Sequence, residues 1–144
     1  MSIPMTDIPD GYRERHHNSE FTNLCGPFYE KVENGKQIEL ALRISNKHRN
    51  LRGITHGGLL VTIADSALGD AVADAYGDEV GTVTVSLTSE FFKAAKIGDW
   101  VVARASIQKQ GRRMAFADCF LYVNEEKIFR ASGVFAIVER KGGR

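Results

Sequence analysis

The feature that most constrains the fold is a single long stretch in which apolar residues recur at helical spacing. Between His56 and Gly77 the apolar residues fall on one stripe of an amphipathic helix. Gly57 and Gly58 open this stretch, and Gly77 with Asp78 closes it, as expected at a helix end. The stripe consists of Leu59, Leu60, Ile63, Ala64, Ala67, Leu68, Ala71, Val72 and Ala75. The sequence therefore predicts one long helix.

Strand-like segments lie on both sides of this helix. Before it, residues 26–35 contain a short candidate strand, and residues 36–45 alternate between apolar and polar side chains. After it come four strand-like runs, at 81–92, 99–110, 113–124 and 127–139, with short turns at 111–112 and 125–126. Short turns between neighbouring strands favour antiparallel pairing. We therefore predict an α+β fold in which one helix packs on an antiparallel sheet of five to six strands.

Length and composition limit the class of protein. A chain of 144 residues holds one domain with a sizeable core, so we expect a single domain over 1–144, with polar residues 1–20 as a loose N-terminal arm. The net charge of +1 gives no strong attraction to nucleic acid, and no apolar run approaches the roughly 18 residues that cross a membrane. We interpret Cys25 and Cys119 as buried free thiols. With no secretory signal visible, we expect a cytoplasmic location.

The start of the predicted helix combines two glycines with a nearby carboxylate. The first N–H groups of a helix lack intrahelical partners and carry partial positive charge, and glycine lets a ligand approach them. Gly57 and Gly58 also suit a simple tight turn against the sheet. Asp65 lies on the flank of the apolar stripe, beside small residues that would admit another backbone or subunit; it equally suits an exposed helix surface. Three further carboxylates are expected to be solvated: Asp70, Asp74 and Asp78.

The order of these residues resembles a known signature. The segment HGGLLVTIADSAL, in which HGG is followed by Asp65, resembles that of hotdog-fold acyl-CoA thioesterases. The resemblance extends from about Asn50 to Val138. It is strongest to the phenylacetyl-CoA thioesterase-like branch, which includes the mammalian thioesterase superfamily member 2. It includes Asn50, the segment AKIGD (95–99) and the segment KQGRRMAF (109–116). It implies a hotdog fold, in which the sheet wraps around the long central helix.

The resemblance implies catalytic roles for Asp65 and Gly57. The N–H of Gly57 would donate to the developing oxyanion of a thioester, an interaction that can lower the barrier by ~3 kcal/mol. Asp65 would act as a general base on water or as a nucleophile, and the sequence does not separate these roles. The products would be a free acid and coenzyme A. No metal or bound cofactor is expected, and coenzyme A enters only as part of the substrate.

Three further residues receive catalytic roles from the resemblance. His56 would hydrogen-bond near the thioester or steady its loop, or it would simply bond backbone at the helix start. Asn50 would hold the loop or the substrate carbonyl, or it is an ordinary turn residue. Thr84 would position water beside Asp65; the alternation in TVTVSL places Thr84 on one face of its strand and Val83, Val85 and Leu87 on the other. A threonine on a solvated strand face is the alternative.

The remaining candidates concern coenzyme A and the acyl group. Cationic side chains near two loops suit the phosphates of coenzyme A, and Gly111 would leave backbone N–H groups accessible there. Phe92 would line an acyl tunnel. The predicted substrate-binding residues are Gly58, Phe92, Lys93, Gln110, Gly111, Arg112 and Arg113. Family sites are assembled across a homodimer, with Asp65 of one copy facing Gly57 of the other, and such dimers commonly pair into a homotetramer.

Other functions remain as alternatives. A non-catalytic acyl-CoA-binding or sensing protein would use the same fold, although binding alone does not need Asp65. A hotdog dehydratase would pair histidine with an acid in another local pattern, which is not present here. The histidines and cysteines lack the spacing of a metal site, and the basic residues lack the aromatic interleaving of a nucleic-acid site. The sequence does not specify the acyl group.

Overall fold

The computed structural model describes residues 7–16 and 19–139. Within these residues lie seven β-strands and two α-helices, of which the second is the long helix predicted from the sequence. In chain order the elements are β1 (Arg13–Glu14), α1 (Glu20–Cys25), β2 (Tyr29–Glu33), β3 (Lys36–Arg43), α2 (Gly57–Tyr76), β4 (Val80–Phe91), β5 (Trp100–Gln110), β6 (Met114–Val123) and β7 (Glu126–Glu139). A short 3-10 helix, Asn46–His48, lies between β3 and α2.

Helix α2 begins and ends where the sequence predicts. His56 is its N-cap: the ring Nδ1 accepts the N–H of Gly58 at 2.9 Å, and the carbonyl accepts the N–H of Leu59 at 3.0 Å. At the other end, Gly77 has a φ of 91°, which glycine adopts at little cost, and its N–H donates to the carbonyl of Ala73. Both predicted boundaries are confirmed.

The sheet is antiparallel throughout and has the order β1-β2-β3-β5-β6-β7-β4. Helix α2 packs against β3, β4, β5, β6 and β7. This arrangement of one long helix against one antiparallel sheet is the predicted hotdog fold. Seven strands are present where five to six were expected, because the two-residue strand β1 adds to one edge by pairing with β2.

The four strands after α2 agree with their predicted bounds to within one residue. The turn between β6 and β7 differs from its predicted position. It is formed by Asn124 and Glu125, one residue earlier than expected, and their φ values are 50° and 66°. Positive φ at both central residues is the geometry that matches the twist of a two-residue hairpin. Residues 124, 125 and 126 are all polar, so the sequence did not distinguish a turn at 124–125 from a turn at 125–126.

The core lies between α2 and the sheet. Ile63, Ala64, Leu68 and Val72 of α2 are fully buried, and Phe129 of β7 is buried with them. Burial of each such leucine, isoleucine or phenylalanine contributes roughly 1.5–3 kcal/mol. This packing fixes the rotation of α2 about its axis. It therefore also fixes the direction in which Asp65 projects from the helix.

Strand β4 is an edge of the sheet and carries a bulge. Thr84 pairs with Phe135, but the next paired residue is Ser86, so Val85 is the extra residue. Leu87 consequently lies on the same side as Thr84, against the expected alternation, and both line one recess beside α2. Val83 and Val85 are 52% and 56% exposed. The edge of the sheet is therefore open and partly apolar.

The described part of the N-terminal arm is packed, whereas we expected a loose segment over 1–20. Tyr12 donates a hydrogen bond to Glu39 and packs edge-on against Trp100, with ring centroids 5.2 Å apart. Arg13–Glu14 forms β1. Segments as short as these have no clear periodicity, so their packing could not be predicted from a sequence pattern. Residues 1–6 and 17–18 of the expected arm lie outside the described residues.

The expectation that Asp70 is solvated is wrong. Arg15 Nη2 lies 2.5 Å from Asp70 Oδ1, and their side chains are only 11% and 20% exposed. Gln37 Nε2 donates to Asp70 Oδ2 at 2.8 Å, and the backbone N–H of Gln37 donates to Asp74 at 2.9 Å. Asp78 is exposed. Asp70 and Asp74 thus connect α2 to Arg15, which follows β1, and to Gln37 of β3.

The two cysteines have different environments. Both are free, and Cys119 is fully buried, as expected. Burial raises the pKa of the Cys119 thiol to about 12, so this thiol is unreactive at neutral pH. Cys25 is only partly buried, at the end of α1. The prediction of two buried thiols is correct for Cys119 alone.

Candidate active site

Asp65 and Thr84 meet between α2 and β4. The Thr84 hydroxyl donates a hydrogen bond to Asp65 Oδ1 at 2.9 Å. The pair exists because the buried stripe of α2 leaves Asp65 on its flank, facing the inward side of β4. The structure thus brings together two residues that the sequence analysis had assigned to one site.

The Asp65 carboxylate lies in a recess of about 310 Å³. Its walls come from α1, α2 and β4, and they combine apolar side chains with hydroxyl groups. The lining residues are Phe21, Thr22, Val61, Thr62, Asp65, Ser66, Thr84 and Leu87. None of these eight is basic. The recess can therefore hold a small, largely apolar group next to a carboxylate.

Gly57 offers a backbone donor at the start of α2. As the first helical residue it has no intrahelical acceptor, and among residues 7–16 and 19–139 its N–H meets no other hydrogen-bond acceptor. The ring of Phe91 lies beside it: a Cβ at position 57 would be 3.3 Å and 3.5 Å from two ring atoms. Phe129 supports Phe91 in an edge-on contact with centroids 5.0 Å apart. The absence of a side chain at Gly57 thus leaves room for the Phe91 ring beside the start of α2.

His56, Gly58 and Asn50 have local structural contacts. The His56 ring accepts the Gly58 N–H, so His56 bonds backbone at the helix start, which was one of the two roles considered for it. The same hydrogen bond makes the Gly58 N–H unavailable to a ligand. Asn50 Oδ1 accepts the N–H groups of Arg52 at 2.8 Å and Ile54 at 3.3 Å, so Asn50 shapes the loop before the helix. His56 and Asn50 both line an open groove beside this loop.

The two catalytic candidates of one chain are far apart. Gly57 and Asp65 are separated by eight positions on α2, which corresponds to about 12 Å along the helix axis. One carbonyl group cannot contact both at that separation.

Phe92 and Lys93 lie near the start of α2. Both backbone N–H groups donate to the carbonyl of Ile128, at 2.8 Å and 3.1 Å. Lys93 Nζ is 2.9 Å from Glu126 Oε1, and this hydrogen bond raises the pKa of Lys93. Phe92 is 50% exposed. A phosphate group at Lys93 would therefore compete with Glu126.

The hairpin residues 110–113 lie at the opposite end of α2. Gln110 Nε2 donates to the carbonyl of Ala75 at 3.1 Å, and the Tyr76 hydroxyl donates to the carbonyl of Gly111. The N–H of Gly111 donates to the carbonyl of Met114 at 3.0 Å, so this one N–H group of the hairpin is already used. Arg112 and Arg113 are exposed. One chain therefore does not bring this hairpin together with Lys93.

Sequence reasoning missed the contribution of α1 to the Asp65 recess. Ser19 is the N-cap of α1 and accepts the N–H of Thr22 at 3.3 Å. Phe21 and Thr22 then line the recess. A serine before a short run with apolar residues at positions 21 and 24 was the available signal, because serine is a favoured N-cap.

The described residues contain neither a metal-ligand cluster nor a membrane-spanning helix. No three side chains of the histidine, cysteine, aspartate and glutamate types come together there in a group that could hold a metal ion. Within 7–16 and 19–139, neither helix has the combined length and hydropathy needed to cross a bilayer.

Comparison with known proteins identifies relatives over most of the chain. A protein of Pseudomonas aeruginosa, whose name classes it provisionally as an esterase, is 40% identical over 131 residues, which are 91% of this chain and 98% of that protein. Mouse acyl-coenzyme A thioesterase 13 is 36% identical over 76 residues, about half of each protein (53% and 54%).

Solved structures agree with the fold. A protein of Bacillus halodurans whose crystal structure contains CoA superimposes with a TM-score of 0.67 at 27% identity, over 71% of this chain and 68% of that one. The family model of the thioesterase superfamily matches residues 52–129, which is more than half of the chain and includes α2 with Gly57 and Asp65. The chain therefore belongs to the thioesterase superfamily and is a thioester hydrolase.

Proposed function

We propose that this chain hydrolyses acyl-CoA thioesters, with Asp65 as the residue that activates water or attacks the carbonyl. The observation that carries the proposal is the hydrogen bond from Thr84 to Asp65 Oδ1 at 2.9 Å, inside a recess with room for an acyl group. A carboxylate held by one donor is oriented for proton abstraction or for attack on the thioester carbon. Water attack breaks the carbon–sulfur bond and releases a free acid and the coenzyme A thiol.

The Gly57 N–H is the proposed donor to the carbonyl oxygen. It lies at the positive end of the α2 dipole and is not used by another group of the described chain. As the carbonyl carbon becomes tetrahedral, negative charge develops on this oxygen. A preorganised amide donor at that point can lower the barrier by ~3 kcal/mol.

The working unit that we propose is a homodimer with shared active sites. Because Gly57 and Asp65 of one chain are about 12 Å apart along α2, the carbonyl would lie between Asp65 of one copy and Gly57 of the other. The open edge of β4, with Val83 and Val85 more than half exposed, is suited to contact with a second copy. Pairing of dimers into a homotetramer stays a prediction of the family resemblance.

Coenzyme A is the proposed carrier of the acyl group, since mouse acyl-coenzyme A thioesterase 13 is named for it and the Bacillus halodurans structure contains CoA. Lys93 with Phe92 lies near the start of α2, and the hairpin 110–113 lies near its end, about 28 Å away along the axis. We propose that these groups serve one bound CoA only when they come from different copies. Gly58 has no side chain, so it would let the substrate come close to the backbone beside Gly57. The cytoplasmic location and the absence of a cofactor stay predictions.

A thiol-release assay on a panel of acyl-CoA substrates tests the proposal. Asp65→Asn is expected to remove nearly all turnover and to leave the association state unchanged. Asp74→Asn is the matched control, because Asp74 lies on the same helix and an asparagine oxygen can still accept the Gln37 N–H. Near-normal turnover by Asp65→Asn would contradict the role of Asp65. Tight acyl-CoA binding by a wild-type protein without turnover would instead favour a non-catalytic binding protein.

A further inference from the structure

Phe21 of α1 forms one side of the open recess around Asp65. The ring lines the recess with Val61 of α2 and Leu87 of β4, while 60% of Phe21 remains exposed. A large aromatic residue with this exposure gains little by burial in the core of the chain. Its position next to the proposed catalytic carboxylate gives it contact with whatever enters the recess.

Helix α1 is held firmly enough to act as a wall. His48 Nε2 lies 2.6 Å from the carbonyl of Cys25, and Lys47 Nζ donates to the carbonyl of Gly26 at 2.6 Å. Ser19 caps the other end, and Thr22 is 9% exposed beneath the helix. Phe21 therefore projects from a helix that is fixed at both ends and along its inner side.

The chemistry of the recess suits the acyl group and not the phosphates of coenzyme A. Phosphate binding favours arginine and lysine, and none of the eight lining residues is basic. Phe21, Val61 and Leu87 offer an aromatic and two aliphatic surfaces instead. A cavity of about 150 Å³ holds a benzene molecule, so the recess of about 310 Å³ has room for one ring with a short linker, or for a chain of similar volume.

We propose that Phe21 is a specificity-determining residue that limits the size of the acyl group. The favoured substrates carry an acyl group of about one aromatic ring or a medium-length chain, and longer chains meet the Phe21 ring. This inference rests on the proposed hydrolysis of acyl-CoA thioesters at Asp65. It adds a residue of the N-terminal helix to a site otherwise formed by α2 and β4.

The test is a comparison of kcat/KM for phenylacetyl-CoA and dodecanoyl-CoA. Phe21→Ala removes the wall, so the ratio of kcat/KM for the ring substrate to that for the long chain should fall at least about tenfold. Phe21→Trp enlarges the wall and should change the same ratio in the opposite direction. Leu24→Ala is the matched control, because Leu24 is 73% exposed on the same helix and does not line the recess; its ratio should stay at the wild-type value.

The outcomes separate this inference from the proposed function. An unchanged ratio in both Phe21 variants, with turnover still abolished by Asp65→Asn, would overturn the role of Phe21 and leave the hydrolase in place. A Leu24→Ala ratio that falls as far as that of Phe21→Ala would also overturn it, since a general loosening of α1 would then explain both. A wild-type protein that hydrolyses neither substrate, nor any other acyl-CoA, would remove the proposed function and this inference with it. Thermal unfolding of each variant checks that its fold is intact.

Discussion

The hydroxyl of Thr84 and the carboxylate of Asp65 are joined by a 2.9 Å hydrogen bond across the gap between β4 and α2. The bulge at Val85 lies directly after Thr84, and it allows Thr84 and Leu87 to face the same recess. The orientation of the carboxylate therefore depends on an irregularity in the neighbouring strand as well as on its own helix.

Removal of this hydroxyl should slow catalysis without unfolding the chain. Thr84 is exposed, so Thr84→Val preserves shape at little cost to folding. A hydrogen bond to a charged group contributes about 1.5–3 kcal/mol, and we therefore expect a loss of roughly 10- to 100-fold in kcat. Thr84→Ser retains the donor and should keep most of the rate. Equal rates for the valine and serine variants would show that the hydroxyl has no part in turnover.

A methyl group at position 57 should interfere with the proposed carbonyl donor. Its Cβ would meet the Phe91 ring at 3.3 Å, and that ring is 53% exposed and can shift. We expect Gly57→Ala to fold with a thermal midpoint close to that of the wild type but to lose at least about tenfold in kcat/KM. Gly69→Ala is a useful control on the same helix, because its Cβ would meet no atom within 4 Å. Full activity of Gly57→Ala would place the carbonyl elsewhere.

Mixing two inactive variants tests whether the site is shared. An Asp65→Asn chain keeps Gly57, and a Gly57→Val chain keeps Asp65, so a mixed dimer contains one complete site. After unfolding and refolding in equal amounts, half of the dimers are mixed, and the pool should recover about a quarter of wild-type activity. The check is the thiol-release rate of the refolded mixture against each variant alone. A mixture as inactive as its components would mean that the site belongs to one chain.

The Arg15–Asp70 ion pair should contribute to stability far more than a surface pair does. Both side chains are largely buried, and loss of one member leaves the other charge in a poorly solvated position. We expect Arg15→Ala to lower the free energy of unfolding by about 3 kcal/mol. Arg13→Ala removes an ion pair with Glu30 in which Arg13 is 68% exposed, and its effect should stay within about 0.5 kcal/mol. Urea unfolding measures both values.

Acidification should reduce the stabilising contribution of His48, because protonation at Nδ1 removes the acceptor of the Ser45 N–H. The His48 Nδ1 accepts the Ser45 N–H at 2.9 Å, so Nε2 carries the proton that is donated to Cys25. Burial lowers the pKa of His48 from its ordinary value of 6.5. The folded chain then resists protonation more than the unfolded chain does. The stabilising contribution is complete above pH 6.5, and it is lost as the pH falls from there towards the lower pKa of the folded state.

The measurement for His48 is urea unfolding at about pH 5 and about pH 8. The wild type should lose stability between the two, and His48→Gln should show a smaller difference because glutamine does not titrate. His16 is exposed, so His16→Gln serves as the control for replacing a histidine outside the core. An identical pH response in wild type and His48→Gln would assign the acid effect to other groups.

Much of the architecture follows from periodic patterns in the sequence. The apolar residues change from helical to strand spacing after Gly77. This change predicts α2 and the four following strands to within one residue at nearly every end. These elements have one buried face, and burial produces the pattern that makes them visible. The proximity of Thr84 to Asp65 also agrees with the sequence analysis, although the resemblance to a family supplied that pairing.

The features that were missed depend on contacts between distant segments. Arg15 and Asp70 are 55 positions apart, and neither has a local sequence pattern that indicates burial. The bulge at Val85 shifts the register by one residue while the sequence continues to alternate. Helix α1 has only six residues, so its short apolar pattern is weak compared with the signal of α2. Tertiary packing determines all three.

The spacing of Gly57 and Asp65 on one rigid helix also has a consequence for how the activity responds to protein concentration. If neither copy holds a complete catalytic set, specific activity must decline on dilution once the copies separate, and bound substrate must oppose that decline by linkage. In the proposed homodimer, turnover would therefore depend on association, and its rate would be set by mass action as well as by chemistry.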